Sequence, residues 1–236
     1  MSSWTELLPR DIRNYISSYL DQDNRYYLVI NYKKYLIYYY ANKNDKDNDI
    51  KYMENLQRLY CGYSTTISDD GLRHLTNLQI LSCGDNTTIA DEGLRHLTNL
   101  QHLDCGRNIN FTDIGLSYLS NLQILNCSNN RNFTDEGIKQ LTNLQELYCG
   151  SNTKFTDDGL SNLIKLQILY CDVNTKFTDD GIKYLSNLRI LSCGDNENFT
   201  NKGIKHLTNL QNLFCGWCVN FTDKELKYLT NLKIYR

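Results

Sequence analysis

Apolar positions in this chain fall on a fixed lattice. Cys61, Cys83, Cys105, Cys127, Cys149, Cys171, Cys193 and Cys215 are spaced 22 residues apart. Around each runs L-x-x-L-x-C-x-x-N-x-x-[FI]-[TS]-D-x-G-[LI]-x-x-L-[TS]-N, without insertion. In "LQILSCGDN", Leu81 and Cys83 are two apart, which predicts a short strand with Leu78, Leu81 and Cys83 inward. Ile80, Ser82 and Gly84 then face outward. A fixed period of this size predicts stacked repeats, each burying its apolar side against the next. Parallel strands about 4.8 Å apart would make eight of them a stack on the order of 35–40 Å. Asn86, Asn108, Asn130, Asn152, Asn174 and Asn196 end the strands, where a buried amide can satisfy backbone groups of the turn.

The return segment has a different rhythm. In "FTDEGIKQLTNL", Thr134 is placed to cap a helix and Asp135 to favour its positive end. Thr222 and Glu225 spell a capping box in the last repeat. Elsewhere that third position is glycine (Gly71, Gly93, Gly137), which points to close packing against a neighbour. Apolar residues three apart, as in Leu72, Leu75 and Leu78, predict about two turns of α- or 3₁₀-helix on the convex side. The whole pattern resembles the leucine-rich repeat, with cysteine in the place of the third leucine, over residues 49–236. The resemblance implies an α/β solenoid of eight full repeats plus partial terminal ones, strands concave and short helices convex.

The cysteines read as scaffold. An in-register ladder holds side chains parallel, whereas zinc requires four ligands converging on one point. Neighbouring strands also sit wider than a disulfide prefers. Cys218 stands where asparagine is expected, and Cys215-x-x-Cys218 is read as a drifted terminal repeat, with a thiol or metal sensor as the alternative. No cofactor and no metal site is expected. His74, His96 and His206 share one convex position without a fixed carboxylate beside them. The Asn-Phe-Thr triplets at Asn110, Asn132, Asn198 and Asn220 follow from the repeat itself. No nucleophile–base pair or phosphate-cradling loop is present, and the chain is read as a non-enzyme.

Charge adds exclusions. Among 236 residues, 25 are Lys or Arg and 27 Asp or Glu, so no basic excess exists to neutralise phosphates, and neither nucleic acid nor a membrane is an expected partner. The opening lacks the basic-then-apolar order of a secretory signal, and "YYLVI" is far short of the ~20 residues of a membrane helix. An intracellular, cytoplasmic or nuclear setting is expected, with reduced thiols.

The first forty residues do not share the repeat. Ten of the eighteen tyrosines precede residue 53, and the one proline, Pro9, stands at a helix start. Ile12, Tyr15, Ile16, Tyr19 and Leu20 follow at helical spacing. "DQD" then introduces a second helix through Leu28 and Ile30, and Tyr32 to Tyr40 form a third apolar run. So short a helical unit needs a partner surface. Leu8, Pro9, Asp11, Ile12, Ile16, Tyr19 and Leu20 resemble, in order, the F-box pattern L-P-x-[DE]-[IL]-x-x-x-I-x-x-[YF]-L. The later Val29-Ile30-Asn31-Tyr32-Lys33 departs from it. The domain reading is therefore an F-box-like helical segment (1–40), a polar connector "ANKNDKDN" (41–48) and the solenoid (49–236). A plain helical cap over the first repeat is the alternative.

The F-box resemblance implies docking on a Skp-type adaptor of a cullin–RING ubiquitin ligase through Leu8, Pro9, Ile12, Ile16, Tyr19 and Leu20, with an unknown protein substrate held by the repeats. Two sets of outward strand positions vary while the frame stays constant. Tyr60, Ser82, Asp104, Asn126, Tyr148, Tyr170, Ser192 and Phe214 form one; Tyr63, Asp85, Arg107, Asn129, Ser151, Val173, Asp195 and Trp217 form the other. From these, Tyr60, Tyr63, Asp104, Arg107, Tyr148, Tyr170, Phe214 and Trp217 are the candidate partner-binding residues. Tyr148 with Tyr170, and Phe214 with Trp217, are expected to cluster as hot-spot aromatics do.

Overall fold

The computed structural model describes residues 38–41, 43–62, 66–152, 154–174, 176–216, 221, 226–227 and 229–235. Among them ten three-residue strands build one parallel sheet in chain order. They are β1 (Tyr38–Tyr40), β2 (Arg58–Tyr60), β3 (Ile80–Ser82), β4 (His102–Asp104), β5 (Ile124–Asn126), β6 (Glu146–Tyr148), β7 (Ile168–Tyr170), β8 (Ile190–Ser192), β9 (Asn212–Phe214) and β10 (Lys233–Tyr235). Register is strict: Leu59, Leu81, Leu103, Leu125, Leu147, Leu169, Leu191 and Leu213 pair in succession, and Ile234 ends the column. The inward leucines, the eight cysteines and a phenylalanine column (Phe111, Phe133, Phe155, Phe177, Phe199) are sealed from solvent as one core.

The strands stop after three residues because the turn is chemically fixed. Asn130 shows how: its side-chain amide donates to the Asn108 and Phe111 carbonyls (2.6 and 3.5 Å), while its Oδ1 accepts from the Asn132 N–H (2.8 Å). Similar bonds hold Asn86, Asn108, Asn152, Asn174 and Asn196. A second asparagine column, Asn77, Asn99, Asn121 and Asn143, donates to a carbonyl 23 residues back at 2.9–3.0 Å. Amides that would otherwise be costly to bury therefore tie each repeat to the one before it.

On the convex side each return is one helical turn, shorter than the expected two. The turns are α1 (Asp47–Ile50), α2 (Asp69–Leu72), α3 (Asp91–Leu94), α4 (Asp113–Ser117), α5 (Asp135–Ile138), α6 (Asp157–Leu160), α7 (Asp179–Ile182) and α8 (Asn201–Ile204). The spacing of three explains the shortfall. Leu75 donates its N–H to the Leu72 carbonyl and Leu78 to that of Leu75, both at 2.9 Å. Successive three-residue turns thus carry the chain back to the sheet. The capping threonine is as expected, with Thr134 Oγ1 accepting from the Glu136 N–H.

The aspartate after that threonine does more than favour a helix dipole. Asp113 accepts from both the N–H (2.9 Å) and the hydroxyl (2.6 Å) of Thr134 in the next repeat. The same two-point clamp joins Asp47 to Ser68, Asp91 to Thr112, Asp135 to Thr156, Asp157 to Thr178 and Asp179 to Thr200. At Ala90, which has no hydroxyl, only the backbone bond to Asp69 remains. The clamp also explains the glycine: a Cβ at Gly159 would stand 2.5 Å from Asp135 Oδ1.

The start of the array differs from the sequence reading. Tyr38–Tyr40, assigned above to the helical segment, pair in register with Arg58–Tyr60 as the first strand. Asp47–Ile50, split between connector and solenoid, is a helical turn whose Asp47 makes the first clamp. Repeat structure therefore reaches back to Tyr38. The rest of segment 1–40 lies outside the described residues. Among the described residues no helix is long and apolar enough to cross a membrane.

Candidate functional site

The sheet presents its outward column on the concave side: Tyr60, Ser82, Asp104, Asn126, Tyr148, Tyr170, Ser192, Phe214 and Tyr235, one per strand from β2 to β10 and in register. The sequence-predicted Tyr60, Asp104, Tyr148, Tyr170 and Phe214 share this column, each half-buried. Arg107 stands beside it, on a turn and not on a strand. Asp85, Arg107, Asn129, Ser151, Val173 and Asp195 all adopt left-handed backbone, with φ between 59° and 63°. This corrects their reading as strand positions: the chain must reverse before the buried asparagine, and this residue makes the reversal. Tyr63, Trp217 and Cys218 lie outside the described residues, as do Leu8, Pro9, Ile12, Ile16, Tyr19 and Leu20.

The column divides into two chemistries. Its first half is a polar groove of about 520 Å³, lined by Tyr60, Ser82, Asp104, Asn126 and Arg107 over a glycine floor. Asp104 is its hub, accepting from the Asn126 amide (3.0 Å), the Gly106 N–H (3.3 Å) and the Ser82 hydroxyl (3.3 Å). Arg107 lies 3.9 Å from Asp85 on the exposed rim, where such a pair contributes little. Burial lowers the His102 pKa against the opposing pull of Asp104 and Glu146.

The second half is aromatic. Tyr148 and Tyr170 stack with centroids 5.0 Å apart and planes at 22°. The Tyr148 hydroxyl donates to Glu146 (2.8 Å), and burial followed by that bond pushes its pKa up to about 12. Phe214 stacks with Tyr235 at 4.5 Å and 12°, a partner that a strict period of 22 misses because the last repeat is one residue shorter (Asn212 pairs with Lys233). Between the pairs, Ser192 is 6% exposed and its hydroxyl donates to both oxygens of Asp172, at 2.8 and 3.0 Å. Glu146, Asp172, Val173 and Tyr235 were not singled out from the sequence. The signal for Asp172 was there, since it breaks a column that holds glycine or serine elsewhere, and Val173 departs from the polar residues of its central neighbours.

The cysteines offer little reactivity. Burial raises the thiol of Cys61 to about 12 and those of Cys83, Cys105, Cys127 and Cys149 further, so these five stay protonated near neutrality. Among the described residues no three His, Cys, Asp or Glu side chains gather to hold a metal ion.

A parallel one-turn-per-strand array with a consensus leucine frame and buried asparagine turns defines a leucine-rich-repeat solenoid. Solved structures agree with that class. The chain is similar to internalin C2 of Listeria monocytogenes, with 25% identity, 80% of each chain covered and a TM-score of 0.60. It is similar also to a chain of the Toll–Spatzle complex of Drosophila, at 16% identity over 80% of this chain and 30% of that one, with a TM-score of 0.60. Comparison with protein-family models and with curated proteins gave no match.

Proposed function

We propose that this chain is a non-catalytic protein-binding adaptor whose concave face holds a protein partner. The observation that carries this reading is the outward column. Two stacked aromatic pairs and a rigid polar groove are presented by a frame whose inward positions scarcely vary. Rigid aromatic anchors bind at low entropic cost and dominate interface energetics. The Toll–Spatzle structure, one of the similar folds, is that of a protein–protein complex.

The finer reading is a substrate-recognition subunit of an intracellular cullin–RING ubiquitin ligase. It is supported by the F-box-like order of Leu8, Pro9, Ile12, Ile16, Tyr19 and Leu20 ahead of a repeat array. The mechanism would be proximity: one end engages a Skp-type adaptor, the other holds a substrate whose lysine then sits at high effective concentration near the ubiquitin carrier. Strand β1, which draws Tyr38–Tyr40 into the sheet, favours the second reading of a repeat scaffold whose leading segment is only a cap. A pull-down of the purified full chain with a Skp-type adaptor separates them. The ligase reading expects capture that is lost when Ile12 and Ile16 become aspartate. No capture, or capture indifferent to both changes, leaves the scaffold.

A further inference from the structure

We infer that the concave surface around Tyr148, Tyr170, Asp172 and Val173 is a docking site for a partner segment presenting an arginine or lysine beside an apolar side chain. The inference rests on the protein-binding reading above and adds the chemistry of what is bound.

Within "YCDVN", residues 170–174, the repeat is broken at two consecutive positions. Where the other repeats place Gly62, Gly84, Gly106, Ser128, Gly150, Gly194 and Gly216, this one has Asp172. Where the five central repeats around it place Asp85, Arg107, Asn129, Ser151 and Asp195, and the two terminal ones Tyr63 and Trp217, it has Val173. The fold requires neither change, since the neighbouring strands form the same ladder without them. Val173 is also an expensive choice: a β-branched residue at φ 63° is strained, and it stands 48% exposed. An exposed, strained valine adds nothing to the folded monomer. Its apolar surface has value only against something that covers it.

What covers it is indicated by charge. Beside the Tyr148–Tyr170 stack the outward strand and turn positions carry Glu146 and Asp172, with Asp195 on the next turn, while exposed cations of this stretch, among them Lys154, Lys176 and Arg189, lie beyond the buried asparagines or ahead of the strand. Asp172 is held in place by the Ser192 hydroxyl and by the Gly194 N–H at 2.6 Å, which leaves its carboxylate with acceptor capacity to spare. Two residues before it on the same strand face, Tyr170 stacks on Tyr148, whose hydroxyl is fixed by Glu146. A planar guanidinium or an ammonium placed there meets an aromatic face and a pre-oriented carboxylate together. A carboxylate in that place would face the carboxylates of Asp172 and Glu146. The apolar neighbour of that cation falls on Val173.

The test is selection of a random peptide library on the purified full chain, followed by affinity measurement for the enriched peptides. The expected result is enrichment of a basic residue next to an apolar one. Binding should weaken with salt and fall at least roughly tenfold in both Asp172→Asn and Tyr170→Ala, with Arg95→Ala, an exposed change on the convex side, as an indifferent control. Unchanged thermal melts of the variants keep a folding defect from imitating the loss. An acidic or uncharged consensus, or a basic one indifferent to Asp172→Asn, overturns this inference and leaves protein binding by the concave face intact. Failure to enrich any peptide that the concave-face variants affect counts against both.

Discussion

Replacing Gly159 by alanine sets two physical arguments against each other. Gly159 lies in a helical turn, where glycine is about 1 kcal/mol less favourable than alanine, so propensity alone predicts stabilisation by about that amount. The packing predicts the reverse. The new Cβ would stand 2.5 Å from Asp135 Oδ1 and 2.8 Å from Ile138 Cδ1. Neither neighbour is free to retreat. Asp135 holds the Thr156 N–H at 2.8 Å and its hydroxyl at 2.6 Å, and Ile138 is fully buried. Hydrogen bonds to a charged group are each worth about 1.5–3 kcal/mol, and partial loss of two outweighs the gain in propensity. Gly159→Ala should therefore destabilise by about 1–3 kcal/mol, read as a lower urea midpoint. The cost should shrink where Asp135 is already alanine, because the clamp is gone and only the Ile138 side chain, at 2.8 Å, remains. A double-mutant cycle measures this coupling directly. If Gly159→Ala equals or exceeds the parent in stability, the clamp is not what excludes a side chain there.

Two further outcomes follow from burial and backbone. The thiols of Cys61, Cys83, Cys105, Cys127 and Cys149 keep their protons in the fold, with Cys61 raised to about 12, whereas in the unfolded chain a thiol ionises near ~8.5. Their contribution is thus whole below the unfolded value and is lost as pH rises toward the folded one, by up to about 1.4 kcal/mol per thiol per pH unit. Urea midpoints should fall steeply between roughly pH 8.5 and 10.5, and a flat profile would contradict thiol burial. Val173→Asn should raise stability by about 1 kcal/mol, since asparagine tolerates the left-handed region and Asn129 already occupies it with φ 61°. A melting temperature unchanged or lowered in this variant would remove the argument from strain.

Much of the scaffold was legible because it is written as periodicity. Strand placement, the inward Leu81 and Cys83 and the buried Asn86 all follow from alternation repeated at one interval. What escaped is contact between repeats. Asp113 looks like an ordinary first-turn acid in its own segment, and only its bonds to Thr134 show that it holds the next one. The turn residues were misread for a related reason, since Arg107 continues the alternation of its strand but sits where the backbone has already reversed. At the ends the lattice slips: Tyr38 pairs with Arg58 and Tyr235 with Phe214, and a fixed interval cannot find either. On the concave face the outward positions line up in register, as alternation implies, yet Asp172 beside them was overlooked because it occupies a glycine column.

The aspartate clamp joins each unit to the next by the same pair of groups at almost every junction. Loss or duplication of a whole unit therefore creates no junction of a new kind. Such an event would move the polar groove and the aromatic surface apart or together by one inter-strand step of about 4.8 Å, without redesign of either. The reach of the recognition surface is in that sense adjustable only in whole increments, as a ruler is by its divisions.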